Sequence, residues 1–506
     1  MTNKILLSLF LLVTPCLSYS QIFPAEGSSL NYRIAGFAFP TIPKSDAYRI
    51  DIAQGRHIII DSFEKNIIKH VETSTNKEII ELPAFGKQYT WRITYKDNKK
   101  VLKNSSLYHF STLMNDRIDT AKFRLRILHA AEQHKDDYVS EDGGGVLYDM
   151  KGRPVWFIPD TNGMGGYVAD LKFTKNGTIT FIYKTAFEIN YDGTILWKGP
   201  NNGSINGDTA GEYYHHEFTR LSNNHYLILG TQLIMCKTVT LKDTSYVLTS
   251  LDRSKLTDGY KPGRFGTIIE YDETGKVVWS WKFTDHLAGS DFDYYESRID
   301  SGKRYDPHDN AFYFDEKNKI IYLGYRNLNR IMKIEYPSGK ILNNYGENFK
   351  PGTQSTGKGL FCNQHSIGMT EEGYLYVFNN NSCQLRDSMP SIVILKEPVS
   401  KDDDFKKIWE YTCTMDTIDF PAGYPKIFGN GGNAIELSDH SFFVDMGSIY
   451  SREFIVNRAK KVLWAALPER YIETDGKWTA LKNYRANIIS RKDLEQLIWK
   501  SETYKP

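Results

Sequence analysis

The chain has 506 residues, with 63 Lys and Arg against 61 Asp and Glu, so its formal net charge is only +2. This balance gives no reason to expect a nucleic acid or an anionic membrane surface as a partner. Aromatic residues make up 14% of the chain and long helical periodicities are scarce, which favours an all-β protein. The length is enough for two or more domains.

Residues 1–20 predict a cleaved secretory signal. Lys4 supplies the positive start, residues 5–13 form the apolar core, and residues 18–20 read small-x-small before the expected cleavage. The apolar stretch is too short to span a bilayer. Because a proline precedes Cys16, the segment is a poor lipoprotein signal. We therefore expect a soluble product exported to a bacterial periplasm, with no membrane partner.

Residues 21–115 predict a small β-sandwich of the immunoglobulin or fibronectin kind. Its candidate strands are short runs separated by turns: Asn31–Phe37, Tyr48–Ile52, His57–Ile60, Glu78–Leu82, Tyr89–Tyr95 and Ser106–Ser111. This domain carries no candidate chemistry. Three roles are open for it, namely dimerisation, shaping a channel mouth, and capping the domain that follows.

Residues 116–506 contain a repeated turn. Each clear copy reads as a polar residue and a glycine followed by β-branched residues and a bulky anchor, which predicts a turn leading into an outer strand. Clear copies are 149–156, 191–197 and 271–279, and weaker ones are 336–342, 405–409 and 457–464.

Between these copies lie candidates for inner strands, at 168–183, 215–230, 308–325, 364–379 and 432–447. Residues 136–145 and 484–490 form a sixth, closing unit. The pattern predicts a six-bladed β-propeller over residues 116–506, with an insertion within 231–265. A pair of large β-sandwiches is the alternative.

Three histidines, His216, His308 and His365, stand at the starts of inner-strand patterns. His216 precedes the turn residue Asn224 by eight positions, and His365 precedes Gly373 by eight, so these two histidines occupy equivalent positions. In a propeller the starts of inner strands meet at one mouth of the central channel. The three imidazoles are therefore expected to converge there.

Asn310 and Arg326 extend this cluster. Alternation places Asn310 on the same face as His308, and a hairpin returns Arg326 to the same mouth. A set rich in hydrogen-bond donors and positive charge suits a compact tetrahedral oxyanion. Alternation also predicts that His215 points away from His216. Three histidines can hold zinc or copper, but the arginine would repel a dication, so we expect neither a metal nor a cofactor.

Four cysteines remain after cleavage: Cys236, Cys362, Cys383 and Cys413. In an oxidising compartment they allow up to two disulfides, with three connectivities open. A disulfide at Cys362 would stiffen the approach to His365.

These segments resemble the bacterial periplasmic aryl-sulfate sulfotransferases over nearly the whole mature chain. The resemblance rests on His308-x-Asn310 followed by Arg326, on His-His-Glu at 215–217, on Gln364-His365 before a glycine turn and YVFNN, and on Tyr484-Arg485-Ala486. It implies a six-bladed propeller behind a small N-terminal β-sandwich. The chain departs from the family in one respect. Well-studied members have two closely spaced cysteines shortly before the nucleophile, whereas here Cys362 stands alone in that region.

The resemblance implies transfer of a sulfuryl group from a phenolic sulfate ester to a phenol, by a ping-pong cycle without a nucleotide donor. His365 is then the nucleophile. Arg326, Asn310 and Tyr484 bind the substrate, and either His216 or His308 is the acid and base. The expected partners are the two small-molecule substrates, with a homodimer left open.

Two rival functions remain at this stage. One is a propeller hydrolase or lyase with a bound metal, which metal content and chelator sensitivity would reveal. The other is a non-catalytic propeller that binds a glycan or a partner, in which substitution of His308 would alter binding alone.

Overall fold

The computed structural model describes residues 22–114, 121–130, 132–159, 168–200, 213–240, 245–250, 258–287, 291, 305–347, 356–383, 389–400, 403–413, 430–447 and 452–503. The predicted signal at 1–20 lies outside them. The chain folds as two compact units, Met1–Leu113 and Met114–Pro506. None of the described helices is long and apolar enough to span a bilayer.

The first unit contains eight described strands and one helix. They are β1 (Ser28–Leu30), β2 (Ile34–Ala38), β3 (Ala47–Gln54), α1 (Ile60–Lys65), β4 (Ile67–Thr73), β5 (Lys77–Glu81), β6 (Gln88–Asp97), β7 (Lys100–Asn104) and β8 (Tyr108–Thr112). One sheet has the order β1-β8-β6-β3-β4, with β7 also on β6, and a second sheet pairs β2 with β5. The buried ring of Trp91 meets Phe37 edge-on at a centroid distance of 5.1 Å.

The predicted strand at His57–Ile60 is wrong. That segment is irregular and leads into α1. Ile58 is 78% exposed and Ile59 is 62% exposed, whereas Phe63 of α1 is buried. The isoleucine run has the composition of a strand, but the apolar side chain that reaches the core is Phe63, and one turn of helix places it there.

The second unit is built almost entirely from strands. They are β9 (Phe123–His129), β10 (Tyr138–Glu141), β11 (Val146–Asp149), β12 (Pro154–Phe157), β13 (Ala169–Phe173), β14 (Ile179–Tyr183), β15 (Thr185–Ile189), β16 (Ile195–Lys198), β17 (Tyr213–Arg220), β18 (Tyr226–Thr240), β19 (Ser245–Ser250), β20 (Lys261–Tyr271), β21 (Val277–Lys282), β22 (Asp309–Asp315), β23 (Ile320–Tyr325), β24 (Arg330–Glu335), β25 (Ile341–Gly346), β26 (His365–Met369), β27 (Leu375–Asn379), β28 (Ser391–Lys396), β29 (Lys406–Thr412), β30 (Asn433–Glu436), β31 (Phe442–Asp445), β32 (Glu453–Val456), β33 (Val462–Ile472), β34 (Lys477–Ala480) and β35 (Ala486–Ile489). The described residues of this unit also include a 3₁₀ turn (Phe283–Asp285) and a C-terminal helix, α2 (Arg491–Thr503).

These strands form several antiparallel sheets with a common four-stranded plan. The described sheets run β12-β11-β10-β35, β13-β14-β15-β16, β17-β18-β20-β21, β22-β23-β24-β25, β26-β27-β28-β29 and β30-β31-β32-β33, with β19 added to β18 and both β9 and β34 added to β33. Every predicted inner hairpin supplies the first two strands of a sheet. Every copy of the repeated turn lies at the start of a last strand.

The C-terminal strand completes the sheet that residues 138–157 begin. β35 pairs antiparallel with β10, and Ala486 lies opposite Glu141. First strands of successive sheets contact one another, from β35 to β13, β17, β22, β26 and β30, and β31 returns to contact β35. The starts of these strands therefore surround one central region.

The predicted insertion at 231–265 is an extension of one sheet. β18 and β20 pair from Tyr226↔Tyr271 to Cys236↔Lys261, and β19 pairs with the far part of β18. The helix α2, in contrast, was not predicted. It is capped by Ser490, whose Oγ accepts from the backbone N–H of Asp493 at 3.2 Å.

Gly152 allows a tight turn to pass under a neighbouring strand. Its φ is +83°, and a Cβ built there would lie 2.0 Å from the carbonyl oxygen of Leu125. Gly373 has a φ of +86° but nothing within 4 Å of its built Cβ. Both positions are strained for alanine by about 1–2 kcal/mol, but only Gly152 also meets a backbone atom.

We expect Gly152→Ala to lower the free energy of unfolding by about 1–3 kcal/mol more than Gly373→Ala does, because overpacking adds to the strain. Urea denaturation of both variants and the wild type measures the difference. Equal losses in the two variants would contradict the close approach of β9 to this turn.

Candidate active site

The strand β17 carries two adjacent histidines that face each other. Its pairing with β18 shifts register between Tyr214 and Phe218, and His216 has a φ of 62°. The Nδ1 atoms of His215 and His216 lie 2.6 Å apart. The prediction that His215 points away from His216 is therefore wrong, because a bulge interrupts the alternation of side chains.

The three predicted histidines are connected through ring contacts that include Tyr484. The ring centroid of His216 lies 5.2 Å from that of His308 and 5.2 Å from that of Tyr484. Tyr484 in turn lies 5.9 Å from His365. The rings thus form a series of contacts in the order His308, His216, Tyr484 and His365.

Hydrogen bonds fix the proton on His365, the first residue of β26. Asn380 donates from Nδ2 to the carbonyl of Gly431 at 3.0 Å, so its Oδ1 is the atom 2.5 Å from His365 Nδ1. An amide oxygen only accepts, and therefore Nδ1 carries the hydrogen. The backbone N–H of Gly431 donates to His365 Nε2 at 3.3 Å, so Nε2 is an acceptor. In this tautomer, which is assigned from the network, Nε2 holds the lone pair.

The surroundings of His365 keep its imidazole neutral. The side chain is buried, at 1% exposure. Burial lowers the pKa of His365 well below its usual range, and the charges of Arg326 and His308 lower it further. Nε2 is therefore unprotonated near neutral pH, and its lone pair can attack once it leaves the bond from the Gly431 N–H.

Arg326 and Asn310 lie beside the histidines. The backbone N–H of Arg326 donates to the carbonyl of His308 at 2.8 Å, which brings the hairpin end back to the strand start. Asn310 is fully buried and donates from Nδ2 to the carbonyl of Gln364 at 2.9 Å. Among the described residues, no partner accompanies Asn310 Oδ1 or the buried hydroxyl of Tyr484. Buried polar atoms without partners indicate a site for a polar ligand.

Beneath this cluster lies a buried network of charges. Arg485 donates from Nη1 to Asp170 Oδ1 at 2.7 Å and to Glu217 Oε2 at 2.6 Å, and from Nη2 to the carbonyl of Asn310 at 2.8 Å. Lys172 donates to both carboxylates. Two cations and two anions thus balance each other. In the sequence, Tyr484-Arg485-Ala486 stands out only as a motif, since nothing in the spacing of the two acidic residues points to Arg485.

A group of buried carboxyls lies behind the Tyr484 segment. Burial raises the pKa of Asp142 to about 7 and that of Asp445 to about 8. It also raises the pKa values of Glu141 and Glu453 well above their usual range. Asp142 accepts from the backbone N–H of Tyr484 at 2.8 Å, so this group helps to hold the tyrosine in place.

A small cavity lies beside His215, His216 and His308. It is lined by His215, His216, Thr231, Arg264, Asp306, His308 and Asp309. His308 Nδ1 lies 3.7 Å from Asp306 Oδ1. Within the described part of the chain, no group of three His, Cys, Asp or Glu residues is arranged to hold a metal ion.

One disulfide joins the segments that carry His365 and Asn380. Cys362 is bonded to Cys383, whereas Cys236 and Cys413 are buried thiols outside this disulfide. The backbone of Asn381 also donates to the carbonyl of Cys362 at 3.1 Å. Sequence alone left this connectivity open.

Residues 112–412, more than half of the chain, match the sequence profile of the arylsulfotransferase (ASST) family. The protein belongs to this family. It is therefore an aryl-sulfate sulfotransferase with small-molecule sulfate donor and acceptor substrates. The match contains His216, His308, Asn310, Arg326 and His365 and ends before Tyr484. No curated protein sequence matches the sulfotransferase significantly.

Several solved structures resemble the sulfotransferase distantly. A protein of unknown function from Bacteroides caccae has 14% identity, over 70% of this chain and 99% of that chain, with a TM-score of 0.39. An auxiliary nutrient binding protein from Bacteroides thetaiotaomicron has 10% identity, over 94% and 97% of the two chains, with a TM-score of 0.32. Apo AztD from Citrobacter koseri has 8% identity, over 88% and 98%, with a TM-score of 0.29.

The buried carboxyls predict how stability depends on pH. Carboxyls of the unfolded chain titrate near pH 4, whereas the pKa of Asp445 is about 8 in the folded protein. Between these values the folded protein holds more protons, so the free energy of unfolding falls as pH rises. The histidines with lowered pKa values have the opposite effect, but only below about pH 6.5.

We therefore expect the free energy of unfolding to decrease from pH 7 to pH 9, by up to about 1.4 kcal/mol per pH unit for each proton retained. Asp445→Asn keeps a neutral group and should flatten this slope. Guanidinium denaturation at pH 7, 8 and 9 measures both slopes. A wild-type stability that is constant or rises across this range would contradict the buried, protonated carboxyls.

Proposed function

We propose that the enzyme carries the sulfuryl group on His365 Nε2, as a sulfohistidine, between a phenolic sulfate ester and a phenol. The observation that carries this proposal is the hydrogen bond from His365 Nδ1 to Asn380. It leaves Nε2 unprotonated in a buried, neutral imidazole. Such a nitrogen is a nucleophile that needs no separate base.

In the first half-reaction, Nε2 of His365 attacks the sulfur of the donor. The N–S bond forms while the ester O–S bond breaks, and the electron pair of the O–S bond leaves on the phenolate oxygen. The imidazole keeps its Nδ1 proton on the bond to Asn380. No nucleotide takes part, and the intermediate persists until an acceptor enters.

Three groups are suited to bind the sulfuryl oxygens. Arg326 supplies positive charge close to His365, since its charge lowers the pKa of that histidine. The hydroxyl of Tyr484 is a buried donor without a described partner. The amide nitrogen of Asn310 donates one hydrogen to Gln364, and its second hydrogen is the donor suited to a sulfuryl oxygen. Donors placed before reaction stabilise charge that shifts in the transition state.

In the second half-reaction, a phenol oxygen attacks the sulfur and the N–S bond breaks. The acceptor must lose its proton, and either His216 or His308 is placed to take it. The ring of His216 contacts that of Tyr484, and the ring of His308 contacts that of His216.

We further propose the architecture and compartment predicted from sequence. The closed order of contacts among the first strands supports a six-bladed propeller over residues 116–506. The two sheets of the first unit support a β-sandwich over residues 21–115. The disulfide between Cys362 and Cys383 supports an oxidising compartment such as the periplasm, reached through a signal at 1–20.

The nucleophile is tested by trapping the intermediate. We expect p-nitrophenyl sulfate without acceptor to release one burst of p-nitrophenolate and to leave a sulfuryl adduct on the peptide that contains His365. Stopped-flow absorbance measures the burst, and mass spectrometry detects the sulfuryl adduct. His365→Ala should lose both. An adduct on another residue, or a burst that survives this substitution, would overturn the assignment.

Asn380 is tested as the residue that orients the nucleophile. Asn380→Leu removes the acceptor for His365 Nδ1, and we expect adduct formation to slow by about 10–100-fold, as for other groups that orient a functional histidine. Asn380→Asp keeps an acceptor oxygen and should recover part of this loss. Unchanged burst kinetics in Asn380→Leu would show that the hydrogen bond has no part in the reaction.

A further inference from the structure

We propose that His215 is a positioning residue that fixes the proton of His216, and thereby makes His216 rather than His308 the general base for the acceptor phenol. This inference rests on the sulfohistidine cycle proposed above. It assigns a role to His215, a side chain that strand alternation in the sequence predicted to point away from the site. It also separates two histidines whose roles the sequence leaves open.

The proton on His215 is fixed by the backbone of β18. His215 Nε2 lies 3.2 Å from the carbonyl oxygen of Gly230. A carbonyl oxygen only accepts, so Nε2 must carry a hydrogen. Burial lowers the pKa of His215 to about 4, so the ring is neutral near pH 7 and carries one hydrogen only. The Nδ1 atom of His215 is therefore an acceptor.

The proton on His216 follows from that acceptor. Two Nδ1 atoms 2.6 Å apart share one hydrogen, and His215 Nδ1 has none to give. His216 must donate from its own Nδ1. Burial lowers the pKa of His216 well below its usual range, and a proton on His215 would lower it further, so this ring is also neutral. Its lone pair is then on Nε2, the ring nitrogen that does not face His215.

The other charged groups around the pair keep it neutral. Asp309 Oδ2 lies 4.0 Å from His215 Nε2, but burial raises the pKa of Asp309 well above its usual range, so this carboxyl is protonated. The charges of His308 and Arg264 disfavour a second proton on His215, whereas the bond to Gly230 and the charge of Asp306 favour one, and burial outweighs both. Among the described residues, no charged neighbour changes the proton positions that the hydrogen bonds assign to His215 and His216.

His308 lacks an equivalent arrangement in the described chain. Its Nδ1 lies 3.7 Å from Asp306 Oδ1, which is longer than a hydrogen bond. The carboxylate of Asp306 therefore does not fix a proton on His308 in the way that His215 fixes one on His216. His308 is left to bind the sulfuryl group as a donor.

The step balances as a single proton transfer. The acceptor oxygen forms a bond to sulfur as the bond from sulfur to His365 Nε2 breaks, and the electron pair of that bond returns to Nε2. The phenol proton moves to His216 Nε2. The resulting imidazolium keeps its Nδ1 hydrogen on His215, whose lone pair stabilises the new positive charge. In the reverse direction the same imidazolium protonates a departing phenolate.

The test compares His215→Leu with His215→Gln. Leucine removes the acceptor for His216 Nδ1, whereas the glutamine amide can donate to Gly230 and accept from His216. With p-nitrophenyl sulfate as donor, the burst without acceptor should stay within about 3-fold of wild type in both variants, since p-nitrophenolate leaves without protonation. Transfer to phenol at pH 7 should fall on the order of 100-fold in His215→Leu, as expected on losing a general base. His215→Gln should recover most of it.

The pH dependence of this loss separates a lost base from a damaged site. Phenol ionises near pH 10, like tyrosine. From pH 7 to pH 9 the fraction of phenolate, which needs no base, rises about tenfold per pH unit. The gap between His215→Leu and wild type should therefore narrow as pH rises. His440→Leu, at a 45% exposed side chain in another sheet, is the matched control and should change neither rate.

Several outcomes would overturn the inference. Equal losses of burst and transfer in His215→Leu would show a structural role alone, and unchanged transfer to phenol would show no role. If the leucine variant does not fold, ¹⁵N NMR of histidine in the wild type decides, with His216→Gln used for assignment: a His216 protonated on Nε2 contradicts the proposal. A wild type that forms no adduct on His365 would instead defeat the sulfohistidine cycle itself.

Discussion

The buried guanidinium of Arg485 is the interaction on which the centre of the molecule depends. It sits just before the C-terminal strand and bonds to side chains from two other sheets and to the backbone of a third, through Asp170, Glu217 and the carbonyl of Asn310. A buried charge is tolerated only when it is paired and fully bonded. Here Lys172 adds a second cation, so the four groups are neutral as a set. The segment before the C-terminal strand is thus joined to three other sheets, by an interaction that exists only when the sheets have come together.

Departures from regular strand geometry place the side chains above this network. The first strands shift register after Ala169, after Tyr214, after Asp309 and after His365. At such a bulge two successive side chains can face the same way. That is how His215 and His216 both reach the site, and how Glu217 still points down to Arg485. The bulges therefore let one strand supply both the charged support and the reactive group.

This geometry also explains what the sequence could predict. The turn repeat and the hairpins could be predicted from the sequence, because glycine turns and apolar alternation depend on residues that are neighbours in the chain. His308, Asn310 and Arg326 were predicted as site residues because the family resemblance added to the alternation of side chains. The contact of His215 with His216 was not, since a bulge reverses alternation without a local signal. The pairing of Cys362 with Cys383 and the role of Arg485 depend on segments far apart in sequence, and composition does not report which of them meet.

Two histidines of the site are each oriented by a hydrogen bond from Nδ1, but the acceptors of the two bonds differ in basicity. Both donate from Nδ1, His365 to an amide oxygen and His216 to an imidazole nitrogen. An amide oxygen is too weak a base to take the proton, so sulfurylated His365 keeps it and remains a good leaving group for the second step. An imidazole nitrogen is basic enough to stabilise an added positive charge, so His216 can receive a proton on its other side. The partner of each Nδ1 thus decides which nitrogen attacks sulfur and which takes the proton of the acceptor.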